Sequence, residues 1–234
     1  MAAIDVIAFD ADDTLWHNER YYVRAQAGFT ELLSQYHSPE WINDRLFETE
    51  MRNLEHFGYG IKAFALSMIE TAVELTEGRI TGADIQKVVD IARQMITADI
   101  LLLDHVAETI PQLAQGYPLM LITKGDLLDQ ETKIMRSGLE EYFRYIEIVS
   151  SKTRAVYERV FKRYSINPSS LLMVGNSIKS DILPILELGG SAVHIPYETT
   201  WQHEVADAPL ADQLGFFSLE HLGQLPALLE RLEK

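Results

Sequence analysis

The alternation of apolar and polar positions changes character twice along the chain. Ile4–Phe9 is a short apolar run rich in β-formers and broken only by Asp5, which predicts a strand ending at a cluster of aspartates. From about Glu19 to Ala98 the period becomes helical. Ile85, Val88, Val89, Ala92, Met95 and Ile96 recur at i, i+3, i+4, i+7, i+10 and i+11, one face of a helix. Phe64, Met68, Thr71 and Leu75 make a similar stripe, and Ser38-Pro39 reads as an N-cap with proline in the first helical position. No strand is legible in this block, which predicts a bundle of about four helices with a small core of its own.

After Asp104 strands and helices alternate. A helix is expected over Val106–Gln115 with Gly116 as its stop, then a strand over Pro118–Thr123 and a helix over Leu127–Arg136 closed by Gly138. Strands at Tyr145–Val149, Leu171–Val174 and Ser191–Ile195 follow, separated by helices at Arg154–Tyr164 and Ile178–Leu188. Such alternation specifies an α/β fold, a parallel sheet with helices on both faces. The Ile4–Phe9 strand has no other sheet to join. The expected organisation is therefore a core formed by residues 1–16 and 100–234, with residues 17–99 inserted as a helical block.

Composition narrows the function more than the fold. The 234 residues are 47% hydrophobic and 24% charged, as in ordinary globular chains. Thirty-five acidic against twenty basic residues give a formal net charge of −15, which disfavours nucleic-acid polymers and anionic membranes as partners. A small phosphorylated metabolite stays open, because a metal ion and a few donors can dominate a local site. With no cysteine, disulfides, thiolate metal sites and cysteine catalysis are excluded. Neither a leader-like N-terminus nor an apolar run of about 20 residues is present, so the expectation is a soluble cytoplasmic protein. Oligomeric state is not legible.

In an open parallel sheet, ligands bind beyond the carboxyl ends of the strands. The polar residues that follow the strands are Asp10, Asp12 and Thr14; Thr123-Lys124-Gly125; Ser151-Lys152; and Gly175-Asn176-Ser177 with Asp181. Topology brings all four groups to one edge. Asp10, Asp12, Asn176 and Asp181 are hard oxygen donors suited to Mg²⁺, which uses few carboxylates together with phosphate oxygens. Asp10 can attack phosphorus once cations offset its charge, and Lys152 supplies one such cation. Thr123 and the N–H groups after it can hold phosphate oxygens, with Lys124 as a further cation. Asp12 can protonate the leaving alkoxide and then deprotonate water.

At this point the chain resembles the haloacid dehalogenase superfamily. Phe9-Asp10-Ala11-Asp12-Asp13-Thr14-Leu15 is similar to its first motif, Leu121-Ile122-Thr123 to its second, Lys152 to its third, and Val174–Asp181 to its fourth. The resemblance implies a Rossmann-like core with an inserted helical cap, an aspartyl-phosphate on Asp10, acid/base duty for Asp12, phosphate binding by Thr123 and Lys152, and a Mg²⁺ shell including Asn176 and Asp181. The fourth motif usually begins Gly-Asp; the amide of Asn176 can ligate but brings no charge, which leaves Asp181 to compensate. The reaction implied is hydrolysis of a small phosphorylated metabolite. A phosphomutase, or a silent phosphate-ligand binder, would use the same residues. A 2-haloacid dehalogenase is opposed by Asp12, since such enzymes lack the second aspartate. Tyr59, between Gly58 and Gly60 at a break in the helical block, is a possible substrate contact or simply part of a helix-helix turn. Trp201-Gln202-His203-Glu204 is a loop without an assigned role.

Overall fold

The computed structural model describes residues 3–199, 201–209 and 213–233. Along the chain run β1 (Val6–Phe9), α1 (Glu19–Leu33), α2 (Pro39–Phe57), α3 (Ile61–Leu75), α4 (Gly82–Thr97), α5 (Val106–Leu113), β2 (Leu119–Lys124) and α6 (Leu127–Ser137). They are followed by β3 (Phe143–Val149), α7 (Arg154–Tyr164), β4 (Leu171–Gly175), α8 (Leu183–Glu187), β5 (Ser191–His194), β6 (Phe216–Ser218) and α9 (Leu225–Leu232). These elements form two compact units. One comprises Met1–Glu19, Ile100–Lys124 and Gln130–Lys234; the other comprises Arg20–Asp99 and Gly125–Asp129.

The first unit is built on a six-stranded parallel sheet in the order β3-β2-β1-β4-β5-β6. Successive strand residues face opposite sides, so each central strand feeds two cores. Ile7, Phe9, Leu119, Leu121, Leu172 and Val174 pack with α5 and α9 through Val106, Ile110, Leu225 and Leu229. Val6, Ala8, Met120, Ile122, Leu171 and Met173 pack on the other side with α7 and α8 through Val160, Phe161 and Ile185. From β1 the chain moves outward to β2 and β3, then returns to the far side of β1 for β4, β5 and β6. This reversal puts the switch point between β1 and β4, where an α/β sheet opens a crevice at its carboxyl edge.

Two departures from the sequence pattern bear on the site. The helix expected from Ile178 begins as a π-helical turn over Ile178–Ile182 and becomes α-helical only at Leu183. Pro184 has no N–H to donate, so a regular ladder cannot run back from it through this stretch. The second departure is an addition. Past Ile195 the pattern carried no prediction of β6 or α9, yet β6 extends the sheet beside β5 and α9 covers one of its faces.

The helical unit has its own core of Phe29, Leu33, Ile42, Leu46, Phe64, Met68, Ala72, Val88, Ala92 and Met95. Ser38 caps α2 by accepting from Trp41 N–H, ahead of Pro39. The α4 stripe is narrower than the periodicity suggests, since Ile96 is exposed. Gly58-Tyr59-Gly60 joins α2 to α3, with both glycines at positive φ. A Cβ on Gly60 would lie 3.1 Å from the Asp126 nitrogen, and the Asp126 carboxylate accepts from Lys62 Nζ at 2.8 Å. Residues 125–129 are thereby packed into the helical unit. No helix among the described residues is long and apolar enough to cross a membrane.

Close packing just before β5 gives a direct check on the sheet unit. A Cβ on Gly190 would fall 2.8 Å from Ile185 Cγ2 and 2.9 Å from the Pro168 carbonyl oxygen. Gly190→Ala should destabilise the protein by about 1–3 kcal/mol. Gly116→Ala, with nothing within 4 Å of its added carbon, should stay within about 0.5 kcal/mol of the parent. Thermal denaturation of the two variants reads the contrast.

Candidate active site

The β1 ladder continues one residue past the strand, because Asp10 N–H donates to the Val174 carbonyl at 2.9 Å. The chain then turns sharply: the Ala11 carbonyl accepts from Thr14 N–H at 3.2 Å and from Leu15 N–H at 2.8 Å. Asp13 takes a left-handed conformation at φ 61°, and its carboxylate accepts from the N–H groups of Asn18 and Glu19. This turn leaves Asp10 pointing into a buried cluster.

Lys152, between β3 and α7, reaches across to that cluster. Its ammonium donates to Asp10 Oδ1 and, at 2.6 Å, to Asp181 Oδ1, and all three side chains are buried. The other oxygen of each carboxylate is also occupied: Asp10 Oδ2 faces the Thr14 hydroxyl at 3.1 Å, and Asp181 Oδ2 accepts from Ser177 N–H at 3.0 Å. Burial pushes Asp10 up to about 6, with Lys152 opposing the rise and Asp181 adding to it. Lys152 itself is shifted up: burial works against its charge, but Asp10 and Asp181 outweigh that effect.

Thr14 ties this cluster to the β4 end. Its oxygen accepts from Asn176 N–H at 3.1 Å, and its single hydrogen serves either Asp10 or Asn176 Oδ1, the latter 3.2 Å away. Glycine is required at 175, because a Cβ there would lie 2.5 Å from Asp181 Cγ. The π-helical turn that carries Asp181 is braced from below by the buried Tyr157, whose hydroxyl donates to the Ser180 carbonyl at 3.0 Å. Thr123 is buried near the end of β2.

Asp12 forms a second cluster. Oδ1 accepts from Trp16 Nε1 at 2.7 Å, Oδ2 accepts from Gln130 Nε2 at 2.8 Å, and Lys133 Nζ lies 3.0 and 2.9 Å from the two. Burial alone would raise this carboxyl; the charge and hydrogen bond of Lys133, with Gln130 and Trp16, outweigh it and hold Asp12 below its ordinary value. Asp12, expected to share a metal with Asp10 and Asp181, has both oxygens engaged by these donors, and the three carboxylates form no cluster suited to a metal among the described residues.

The third cluster gathers around Lys124. Glu204, from the short turn at Gln202–Glu204, takes the Lys124 ammonium on Oε1 and the hydroxyls of Ser177 and Ser180 on Oε2 at 2.6 and 2.5 Å. Expected to offer its charge to phosphate, Lys124 is instead neutralised by a carboxylate, with Ser180 Oγ as a further partner at 3.1 Å. Tyr59 belongs to the helical unit, on the α2–α3 connection, and is half-buried.

Trp16, Gln130, Lys133 and Tyr157 escaped the sequence reading, and Glu204 stood only in a loop without an assigned role. The spacing of three between Gln130 and Lys133, on a helix starting just after the Thr123 group, was the one available signal. Glu204 had none, lying 80 positions from Lys124.

The donors available to a metal are the carboxylates of Asp10 and Asp181 and the amide oxygen of Asn176. No cluster of three or more His, Cys, Asp or Glu suited to a metal occurs among the described residues. An all-oxygen set with few carboxylates fits Mg²⁺, which keeps waters and takes further oxygens from a phosphate. It does not fit a metal that needs nitrogen or sulfur ligands.

Comparison with known proteins bears on the family. The family model for haloacid dehalogenase-like hydrolases matches residues 4–189. A solved structure of a haloacid dehalogenase-like family hydrolase from Xanthomonas campestris superposes with a TM-score of 0.88 at 40% identity, covering 98% of this chain and 92% of that one. A 2-haloacid dehalogenase from Pseudomonas syringae shares the fold at a TM-score of 0.65 and 20% identity, covering 98% and 99%. Among curated proteins, a glyceraldehyde 3-phosphate phosphatase from Pyrococcus furiosus is 26% identical over 125 residues, 51% of this chain and 49% of that protein. One from Methanothermobacter thermautotrophicus is 30% identical over 94 residues, 37% and 41% respectively. The chain thus spans about half the length or less of these curated relatives.

The Glu204 cluster predicts a specific acid sensitivity. Burial would raise this carboxyl, but Lys124 and the two serines bring it from 4.5 to about 2. A group lowered on folding stabilises the folded chain above its unfolded value and loses that contribution as pH falls towards the folded one. Glu204→Gln should be less stable than the parent near neutral pH by on the order of 2–3 kcal/mol. The gap should close progressively as pH drops below about 4.5. Urea denaturation across a pH series measures it; a gap independent of pH would contradict the assignment.

Proposed function

This chain belongs to the haloacid dehalogenase-like hydrolase family, and we propose that it is a Mg²⁺-dependent phosphatase hydrolysing a small phosphorylated metabolite through an aspartyl-phosphate on Asp10. The observation that carries this reading is the buried Asp10–Lys152–Asp181 group at the β1/β4 switch point. A carboxylate can approach a phosphate dianion only if cations offset the repulsion. Lys152 is already bonded to the carboxylate that would attack.

In this reading an Asp10 oxygen forms a bond to phosphorus as the bond to the leaving oxygen breaks. Asp12 gives the leaving alkoxide its proton and then takes one from the water that cleaves the aspartyl-phosphate, releasing free phosphate and restoring Asp10. Lys152 neutralises charge between nucleophile and phosphate, and Thr123 with the backbone N–H groups after it holds phosphate oxygens. Asp10, Asn176 and Asp181 would hold Mg²⁺, which supplies Lewis-acid neutralisation of the phosphate. Lys124 is left to its pairing with Glu204. The helical unit is the cap in this scheme, and Tyr59 its candidate for substrate selection. Relatives named for glyceraldehyde 3-phosphate make a three-carbon sugar phosphate the first substrate to try.

Phosphate release should be tested over a metabolite panel headed by glyceraldehyde 3-phosphate, alongside a generic aryl phosphate, at fixed Mg²⁺. Release should stop with EDTA, and Asp10→Asn should lower kcat by about a thousandfold or more. Turnover that survives Asp10→Asn would sink the assigned nucleophile. Phosphate moved within the substrate instead of released would identify a mutase.

A further inference from the structure

The spacing of two between Asp10 and Asp12 does not by itself determine where the second carboxylate points. That direction is imposed by the donors around it. Besides Trp16, these come from α6, where Gln130 and Lys133 lie three residues apart and so project from the same face. Neither is a surface side chain caught in passing: Gln130 is 2% exposed and Lys133 is 8% exposed. An ammonium buried to that extent needs an anion, and Lys133 reaches both oxygens of Asp12 as well as Asn18 Oδ1 at 3.1 Å.

Gln130 supplies the more telling observation. Its Nε2 donates to Asp12 Oδ2 at 2.8 Å and faces the Lys124 carbonyl at 3.1 Å, while its buried Oε1 has no partner among the described residues. Rotating the amide would not relieve this, because it would set an oxygen against the carboxylate. The orientation is dictated by Asp12, and the orphaned oxygen is the consequence. A side chain present only to fill space would carry no such oxygen.

We propose that Gln130 and Lys133 are positioning residues that fix the Asp12 carboxylate for proton delivery to the leaving group. This rests on the phosphatase reading above and assigns both residues to one step of it. In that step Asp12, having taken up a proton from solvent, breaks its own O–H bond as an O–H bond forms to the departing oxygen and that oxygen parts from phosphorus, so the carboxyl must already be aligned. The contribution of an aligned acid is about 10²–10⁴-fold, and it matters only where the leaving group needs a proton. An alkyl alkoxide needs one; p-nitrophenolate leaves as a stable anion.

The test compares kcat/KM, which reports steps up to the departure of the leaving group, for an alkyl phosphate turned over by the parent and for p-nitrophenyl phosphate. Lys133→Met and Gln130→Leu should each lose at least about tenfold more on the alkyl ester than on the aryl ester. Equal losses on the two substrates, no loss, or a gain would overturn the proposal while leaving the phosphatase reading intact. Absence of phosphate hydrolysis by the parent would overturn both. Circular dichroism establishes that each variant is folded, and Gln130→Leu alone decides the matter if removing the buried lysine unfolds the chain.

Discussion

Two carboxylates brought to neighbouring strand ends repel each other, and burial makes the repulsion worse. The Lys152 ammonium between Asp10 and Asp181 is what allows the edge of the sheet to close with both inside. Removing Lys152 would leave two buried carboxylates uncompensated, at a cost of about 3–5 kcal/mol. The surrounding details follow from this constraint. Gly175 makes room for the Asp181 carboxylate, Ser177 N–H takes its second oxygen, and Thr14 fills the same need for Asp10. Tyr157 braces the turn on which Asp181 sits. The parallel sheet matters here chiefly as the device that delivers strand ends to one place.

The same arrangement has a chemical use because its charges are unequal. Two carboxylates against one ammonium leave a net negative charge in a buried setting, which a divalent cation would correct. In the proposed reaction phosphate would bring more negative charge, which that cation would offset. Asp12 follows a different logic. Its surroundings are cationic and hydrogen-bonding, so its carboxyl is held low while that of Asp10 is driven up, although the two are only two residues apart.

Much of this was legible in the sequence, and what was missed has definite causes. Period-two and period-3.6 patterns located the five longer strands and the helices between them, because their side chains face continuous cores. β6 escaped because three residues are too few to show a period, and the π-helical turn escaped because its apolar spacing resembles that of an ordinary helix. Asp10, Lys152 and Asp181 could be grouped because each lies past the end of a strand and topology does the rest. Glu204 could not, since it reaches the same edge through a short turn with no periodic signal. That omission is also why Lys124 looked available: its charge could be counted from the sequence, but the carboxylate that cancels it could not be placed.

The five residues 125–129 sit in the middle of this otherwise separable architecture. They interrupt the sheet unit in sequence, yet Gly60 and Lys62 hold Asp126 within the helical unit. For anyone building chimeras, or tracing how such proteins diversify by exchanging inserted blocks, the boundary is therefore not a single cut-and-paste segment. A foreign helical block grafted over residues 20–99 would meet a native 125–129 loop shaped for a glycine and a lysine it does not carry. The transferable module is discontinuous, and a recombinant that keeps the two pieces together stands the better chance of folding.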